Sequence, residues 1–368
     1  MGSSETQRFM AMKGAGYYSK ATTGAKHVID GATDLILDAV GRMNLADDGS
    51  AFRAVDMGAA DGGTSIDMWR KVLRDVRRRV PSRPIEMVYS DLPRNDFSQL
   101  FRSIHGQTDI ESYYTKIDDL YVFASATSFH QAIFPASSLN LGFSATASHY
   151  ISKNPCNISD HVHMVGASGR ERAAYSEQGR LDWERMLLAR TRELVPGGRL
   201  CLFNFGIDEA GRYLGQTGGV SMFDTFSRLW AGLADEGIIT REEFADTNFP
   251  QCYRTVDQFV APLTDKTNPV HRAGLRLEHV ETRVVGCPYA RDFARHGDAR
   301  AFAHAYIPTL RSWSEPTFVS GLSAGRPGEE RARIIDEFFG RYEDLVAREP
   351  EGHGMDYVHI YLICAKAG

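Results

Sequence analysis

The chain has 368 residues, is 43% hydrophobic and carries a formal net charge of −5, which suits one large domain or a core with an appended subdomain. Mild acidity, with basic residues dense only in RKVLRDVRRRV at 70–80, excludes the extended footprint of a nucleic-acid binder. Five scattered cysteines without CxxC spacing, an N-terminus with no apolar run and no stretch near the ~20 apolar residues of a membrane span point to a soluble, cytoplasmic protein with reduced thiols and no membrane partner.

Along the chain, Val28, Ile29, Leu35, Ile36, Leu37, Val40 and Met43 predict an amphipathic helix over 26–44. FRAVDMG (52–58) reads as a strand, then 67–80 as a helix with a solvated basic face, ended by Pro81. IEMVYSD (85–91) is a second strand, and further strands with their loops lie within 118–129 and 137–147. A strong helix over 181–194 is stopped by Pro196-Gly197-Gly198, before a strand over 199–206. Residues 208–270 turn helical and aromatic, 274–285 is again a strand, 291–348 is mostly helical, and 355–367 closes as a strand. This order predicts an α/β fold, a Rossmann-like core covered by helices on both faces, with a helical cap. The expected division is a core over 1–207, cap segments over 208–270 and 291–350, and core strands returning in 271–290 and 351–368. DEAGRYLGQTGG (208–219) has no phosphate-loop lysine and reads as a mobile connection or lid.

The turn AVDMGAADGGTS (54–65) joins the first strand to a helix. Asp56 closes the strand, and Gly58, Gly62 and Gly63 let backbone approach a ligand, although the spacing is not GxGxxG. In SDLPRNDF, Asp91 stands at the end of the next strand, where an acid accepts hydrogen bonds from ribose hydroxyls in doubly wound folds. Two acids at successive strand ends suit a nucleoside without saying which one.

With these segments in view, the chain resembles the SABATH family of S-adenosylmethionine-dependent carboxyl methyltransferases, nearly end to end. The carrying motifs are MKGAGYYSKATTGAKHVI, VDMGAADGGTS, SDLPRNDFSQLF, TSFHQAIFP, SATASHYISKNP, RELVPGGRLCLFNFG, FPQCYRTVDQF, TLRSWSEP and the final DYVHIYLICAKA. The resemblance implies a class I methyltransferase fold, with Lys13, Tyr18, Thr22, Asp56, Gly58, Thr64, Asp91, Leu92, Ser128 and Phe129 around S-adenosyl-L-methionine. Asp91 would take the ribose diol, Phe129 and Leu92 the adenine faces, Ser128 an adenine nitrogen, and Asp56 with Thr22 the methionine portion. Taken alone, Ser128 or Phe129 reads as a core or turn residue. Family members often form dimers, so a homodimer is implied by resemblance only.

The same resemblance implies a pocket for a small carboxylic acid, aromatic or dicarboxylic, walled by Tyr18, Phe205, Phe223, Cys252 or Tyr253, Leu310, Trp313 and Tyr357, with Trp313 shortening it. Relatives grip a carboxylate with a Gln and a Trp indole. Those positions here are Ala25, which has no donor, and Tyr150, which has an O–H. His149 beside it is the second candidate for contact with the reacting acid, and Lys26 or Arg311 could supply a replacement donor. A carboxylate is ionised near pH 7 and needs placement rather than a general base. N- or phenolic O-methylation, with His149 as base, and a non-catalytic binder remain alternatives. His161-Val-His163 resembles a metal pair but lacks a third ligand nearby, and no metal is expected.

Overall fold

The stretch expected as one helix divides into α1 (Thr23–Asp30) and α2 (Thr33–Gly41). The chain turns at Gly31-Ala32, where Ala32 has φ −120° and its N–H bonds to the Ile29 carbonyl. These are the first elements of the computed structural model, which describes residues 23–45 and 49–368. There follow β1 (Phe52–Met57), α3 (Ile66–Arg79), β2 (Ile85–Ser90), α4 (Phe97–Ile104), β3 (Leu120–Ser125), β4 (Leu139–Ala145), α5 (Gly169–Glu193) and β5 (Leu194–Ile207). The remainder is α6 (Met222–Asp235), α7 (Arg241–Asp246), β6 (Arg254–Thr255), α8 (Val256–Thr264), α9 (Pro269–Arg272), β7 (Leu275–Val285), α10 (Pro288–His296), α11 (Ala299–Gly321), α12 (Gly328–Arg348) and β8 (Tyr357–Lys366).

The main sheet runs β3-β2-β1-β4-β5-β8-β7, with β6 attached to β5. Strands β3 to β5 are parallel, and β8 is antiparallel to both β5 and β7. β4 is buried along its whole length and β1 and β2 nearly so, which is why they read as continuous apolar runs: a parallel sheet is covered on both faces. β5 starts at Leu194 and passes through Pro196-Gly197-Gly198 instead of beginning after it. The extra residues form an irregularity between the Leu139–Leu194 and Leu141–Arg199 pairs, and Gly197 takes φ 76° there.

Two helices depart from expectation for physical reasons. α5 begins at Gly169 rather than 181, because its added turns bury a polar group that carries no apolar signal: the Gln178 Nε2 donates to Asp182 at 2.9 Å. On α3 Lys71, Arg74 and Arg78 form the expected solvated face, whereas Arg77 and Arg79 are half-buried ties. Arg77 donates to the carbonyls of Val80, Pro81 and Arg83, and Arg79 to those of Val40 and Met43. Helices α6, α11 and α12 meet through Phe226, Trp230, Phe318 and Phe338, with ring centroids 4.3–6.0 Å apart. Among the described residues no helix is long and apolar enough to cross a membrane.

Candidate active site

The strand order reverses at β1, with β2 and β3 on one side and β4 and β5 on the other. The loops leaving the carboxyl ends of β1 and β4 therefore diverge and open a crevice. Out of β1 the chain turns sharply: Gly58 has φ 79°, and a Cβ there would stand 2.5 Å from that of Ala147. Asp91 reaches across from the end of β2. Its Oδ2 accepts the Ala60 N–H at 2.7 Å and its Oδ1 accepts the Leu92 N–H at 2.7 Å, and each oxygen keeps lone-pair capacity. Burial raises its pKa.

Asp56 is buried at the end of β1. Its Oδ2 accepts from the Ser65 hydroxyl at 2.5 Å and the Trp69 indole at 2.9 Å. Burial, with the Asp91 charge adding to it, pushes its pKa up to about 6 despite those two bonds. A carboxylate kept in such surroundings suits a cationic group on a ligand. Thr64 is buried just before α3, and Leu92 is partly exposed next to Asp91.

Ser128 and Phe129 stand in the loop after β3, and the tie that shapes this loop escaped sequence reasoning. Arg190 and Glu193, fully buried at the end of α5, pair at 2.8 Å. Arg190 donates to the carbonyls of Phe129 at 3.0 Å and Gln131 at 2.7 Å, while Glu193 accepts the N–H groups of Ile133 and Phe134. The glycine turn, Asp91 with its remaining acceptor capacity and this fixed loop fit the nucleoside and amino-acid ends of S-adenosylmethionine.

Beside the crevice lies a narrow cleft of about 30 Å³. The expected residues His149, Tyr150, Phe205, Tyr253, Trp313 and Tyr357 line it, together with the unforeseen Thr146, Leu214, Gln251 and Met355. None of these described lining residues is an Asp, Glu, Lys or Arg. The His149 ring packs 4.4 Å from Tyr150, 5.0 Å from Phe205 and 5.8 Å from Tyr253, and its buried Nδ1 has no hydrogen-bond partner among the described residues. Burial depresses the pKa of His149 far below the usual histidine range, helped by His359 and Arg254; it also lowers those of His163 and of His359, the latter to about 3. Among the described residues the lining is thus mostly aromatic and uncharged.

Residues 6–367 match the profile of a family described as SAM dependent carboxyl methyltransferase. The chain belongs to this family. Loganic acid O-methyltransferase of Catharanthus roseus is 26% identical over 261 residues, covering 65% of this chain and 67% of that protein. Indole-3-acetate O-methyltransferase 1 of Arabidopsis thaliana is 27% identical over 222 residues, 54% of this chain and 56% of the relative. The chain thus spans about two thirds and just over half the length of these relatives. A solved loganic acid methyltransferase with SAH superposes with TM-score 0.76 at 21% identity, covering 97% of this chain and 99% of the other, and the fold is shared.

In this member of the family several expected pocket residues stand elsewhere. Ala25 is buried in the core on α1 and does not line the cleft. Phe223 and Leu310 are a layer behind, Phe223 stacking on His163 at 3.9 Å. Of Cys252 and Tyr253, Tyr253 faces the cleft; the Cys252 Sγ packs against Gly179 of α5, where a Cβ would stand 2.4 Å from it. Neither candidate cation is available: Lys26 pairs with Asp30 at 2.8 Å and Asp67 at 2.5 Å, and Arg311 with Glu315 and Asp336. His161 and His163 sit in a turn, bonded to Asp224 and Gln251, and no metal-binding cluster occurs among the described residues. In the connection at 208–219, Asp208 accepts from Arg212 within the segment, and Thr217 donates to Asp356 beyond it. Lys13, Tyr18 and Thr22 lie outside the described residues.

Proposed function

We propose that this protein forms methyl esters of small carboxylic acids, aromatic or dicarboxylic, held in the cleft behind β4 and β5. S-adenosylmethionine supplies the methyl group on a sulfonium centre. Asp91 binds the ribose diol, Phe129 and Leu92 flank the adenine, Ser128 bonds an adenine nitrogen, and Asp56 holds the cationic methionine end. His149 and Tyr150 orient the acid, and Phe205, Tyr253, Trp313 and Tyr357 exclude water around it. The helical segments 208–270 and 291–350 act as a cap that closes the cleft. The free state of all five cysteines supports an intracellular setting.

The carrying observation is the absence of an Asp, Glu, Lys or Arg among the described residues that line the cleft. Transfer from a sulfonium to a carboxylate annihilates a positive and a negative charge, so a dry neutral pocket favours the transition state over the ions it starts from. The depressed pKa of His149 favours the same acceptor. A phenol would need a base near its own pKa range, and a buried, weakly basic imidazole serves it poorly, whereas a carboxylate arrives ionised. The test is incubation with methyl-labelled S-adenosylmethionine and a panel of benzoate, salicylate, indole-3-acetate and succinate. Label in alkali-labile esters is the expected result; no ester from any acid would overturn the reading.

A further inference from the structure

Gln251 is buried, lines the cleft and belongs to no role assigned so far. Its backbone pairs with that of Tyr150 in an antiparallel bridge, flanked by Cys252 N–H to His149 O at 2.8 Å and Ile151 N–H to Pro250 O at 2.9 Å. Bonds on either side of a pair, rather than within it, mark the closer kind of antiparallel pairing, with both side chains on one face. The Gln251 and Tyr150 side chains therefore leave adjacent backbone positions on one face, and both line the cleft.

The way the amide faces follows from His163. The Val165 N–H donates to His163 Nδ1 at 3.2 Å, so the single proton of the neutral ring sits on Nε2. Nε2 lies 3.2 Å from the Gln251 Oε1 and donates to it. With its oxygen committed, the amide turns its NH₂ toward the cleft. The ring is in turn held flat on Phe223, 3.9 Å away and inclined 15°. Backbone, imidazole and amide form one oriented chain ending in N–H donors beside Tyr150.

We propose that the Gln251 amide, oriented by His163, is the donor that grips the substrate carboxylate beside Tyr150, replacing any group from α1, where Ala25 is sealed in the core. This rests on the esterification reading above. Gln251 touches the acid; His163 is a positioning residue. A neutral donor holds the anion without adding charge, so the cleft selects a carboxylate while keeping its low polarity.

The probe is whichever of benzoate, salicylate, indole-3-acetate and succinate the wild type esterifies fastest, and calorimetry with S-adenosylhomocysteine certifies each variant as folded. Gln251→Glu, the same shape with an acceptor and a charge facing the acid, is expected to raise KM for that acid roughly tenfold or more. Its KM should fall again as pH is lowered and the new carboxyl protonates, against a flat wild-type profile. Gln251→Met, which keeps the volume without a donor, gives the same direction should the charged variant fail to fold. His163→Phe keeps the stack on Phe223 but frees the amide to flip, and raises KM too; combined with Gln251→Met it should add nothing further. An unchanged KM in both Gln251 variants overturns the grip while leaving esterification standing. Additive losses overturn the role of His163. A wild type that esterifies no acid overturns both readings together.

Discussion

The Tyr357 ring lies against the Cα of Gly24, where an added Cβ would stand 2.2 Å from its Cε2. Tyr357 also lines the cleft and packs 5.5 Å from Phe205, so α1 braces the cleft wall through a position that admits no side chain. Gly24→Ala should cost about 1–3 kcal/mol of stability by overpacking, beyond what the better helix former returns. Urea unfolding measures the loss, and a lower turnover should accompany it as Tyr357 is pushed into the cleft.

Asp56 carries a pH signature. Its pKa is about 6 in the folded protein against an ordinary 3.8, so the folded state binds this proton more tightly than the unfolded chain. The ligand-free protein therefore loses stability as pH rises from about 4 through 6, by about 3 kcal/mol at most. Asp56→Asn should remove that slope and leave the ligand-free protein more stable at neutral pH by urea unfolding. The wild type should bind S-adenosylmethionine more weakly as pH falls below about 6, because protonation removes the charge that attracts the cofactor, and the variant should show a flat, weaker profile.

Asp91→Ala should weaken S-adenosylhomocysteine binding by ~1–3 kcal/mol, the scale of hydrogen bonds to a charged group. Calorimetry measures it directly, and unchanged affinity would place the ribose elsewhere.

The Arg190–Glu193 pair has no exposed surface, so removing one partner strands a buried charge. Glu193→Gln should cost about 3 kcal/mol in denaturant unfolding. Because the pair also holds the Phe129–Phe134 loop, the affinity for S-adenosylhomocysteine should fall as well.

Trp313 caps one end of the cleft and packs on Phe223 and Phe249 at 6.2 and 5.7 Å. Trp313→Ala should lengthen the cavity and move the preference in an acid panel toward bulkier acids, read as a change in relative kcat/KM. An identical ranking would show that Trp313 does not bound the substrate.

What could be read from the chain was whatever repeats locally. The parallel strands announced themselves as short apolar runs closing on Asp56 or Asp91, and the glycine turn followed from its position after the first of them. The early turns of α5 were hidden because Gln178 buries a polar group satisfied by Asp182, a pattern without hydrophobic period. Helical register decided the fate of Ala25 and Lys26, sending one into the core and the other to Asp67. Gln251 stood in a quoted motif yet carried no visible role, because its meaning depends on a bridge to Tyr150 and on the ring proton of His163, both far away in sequence.

The placement of β8 between β5 and β7 bears on biosynthesis. When Val285 leaves the ribosome, β7 has no strand to pair with, since the strand that joins it to the sheet begins only at Tyr357. The nascent chain must carry an open apolar edge through the making of α10, α11 and α12, and folding finishes only after translation has passed that last strand. Premature stop codons upstream of Tyr357 should therefore yield aggregation-prone products and not a smaller working enzyme.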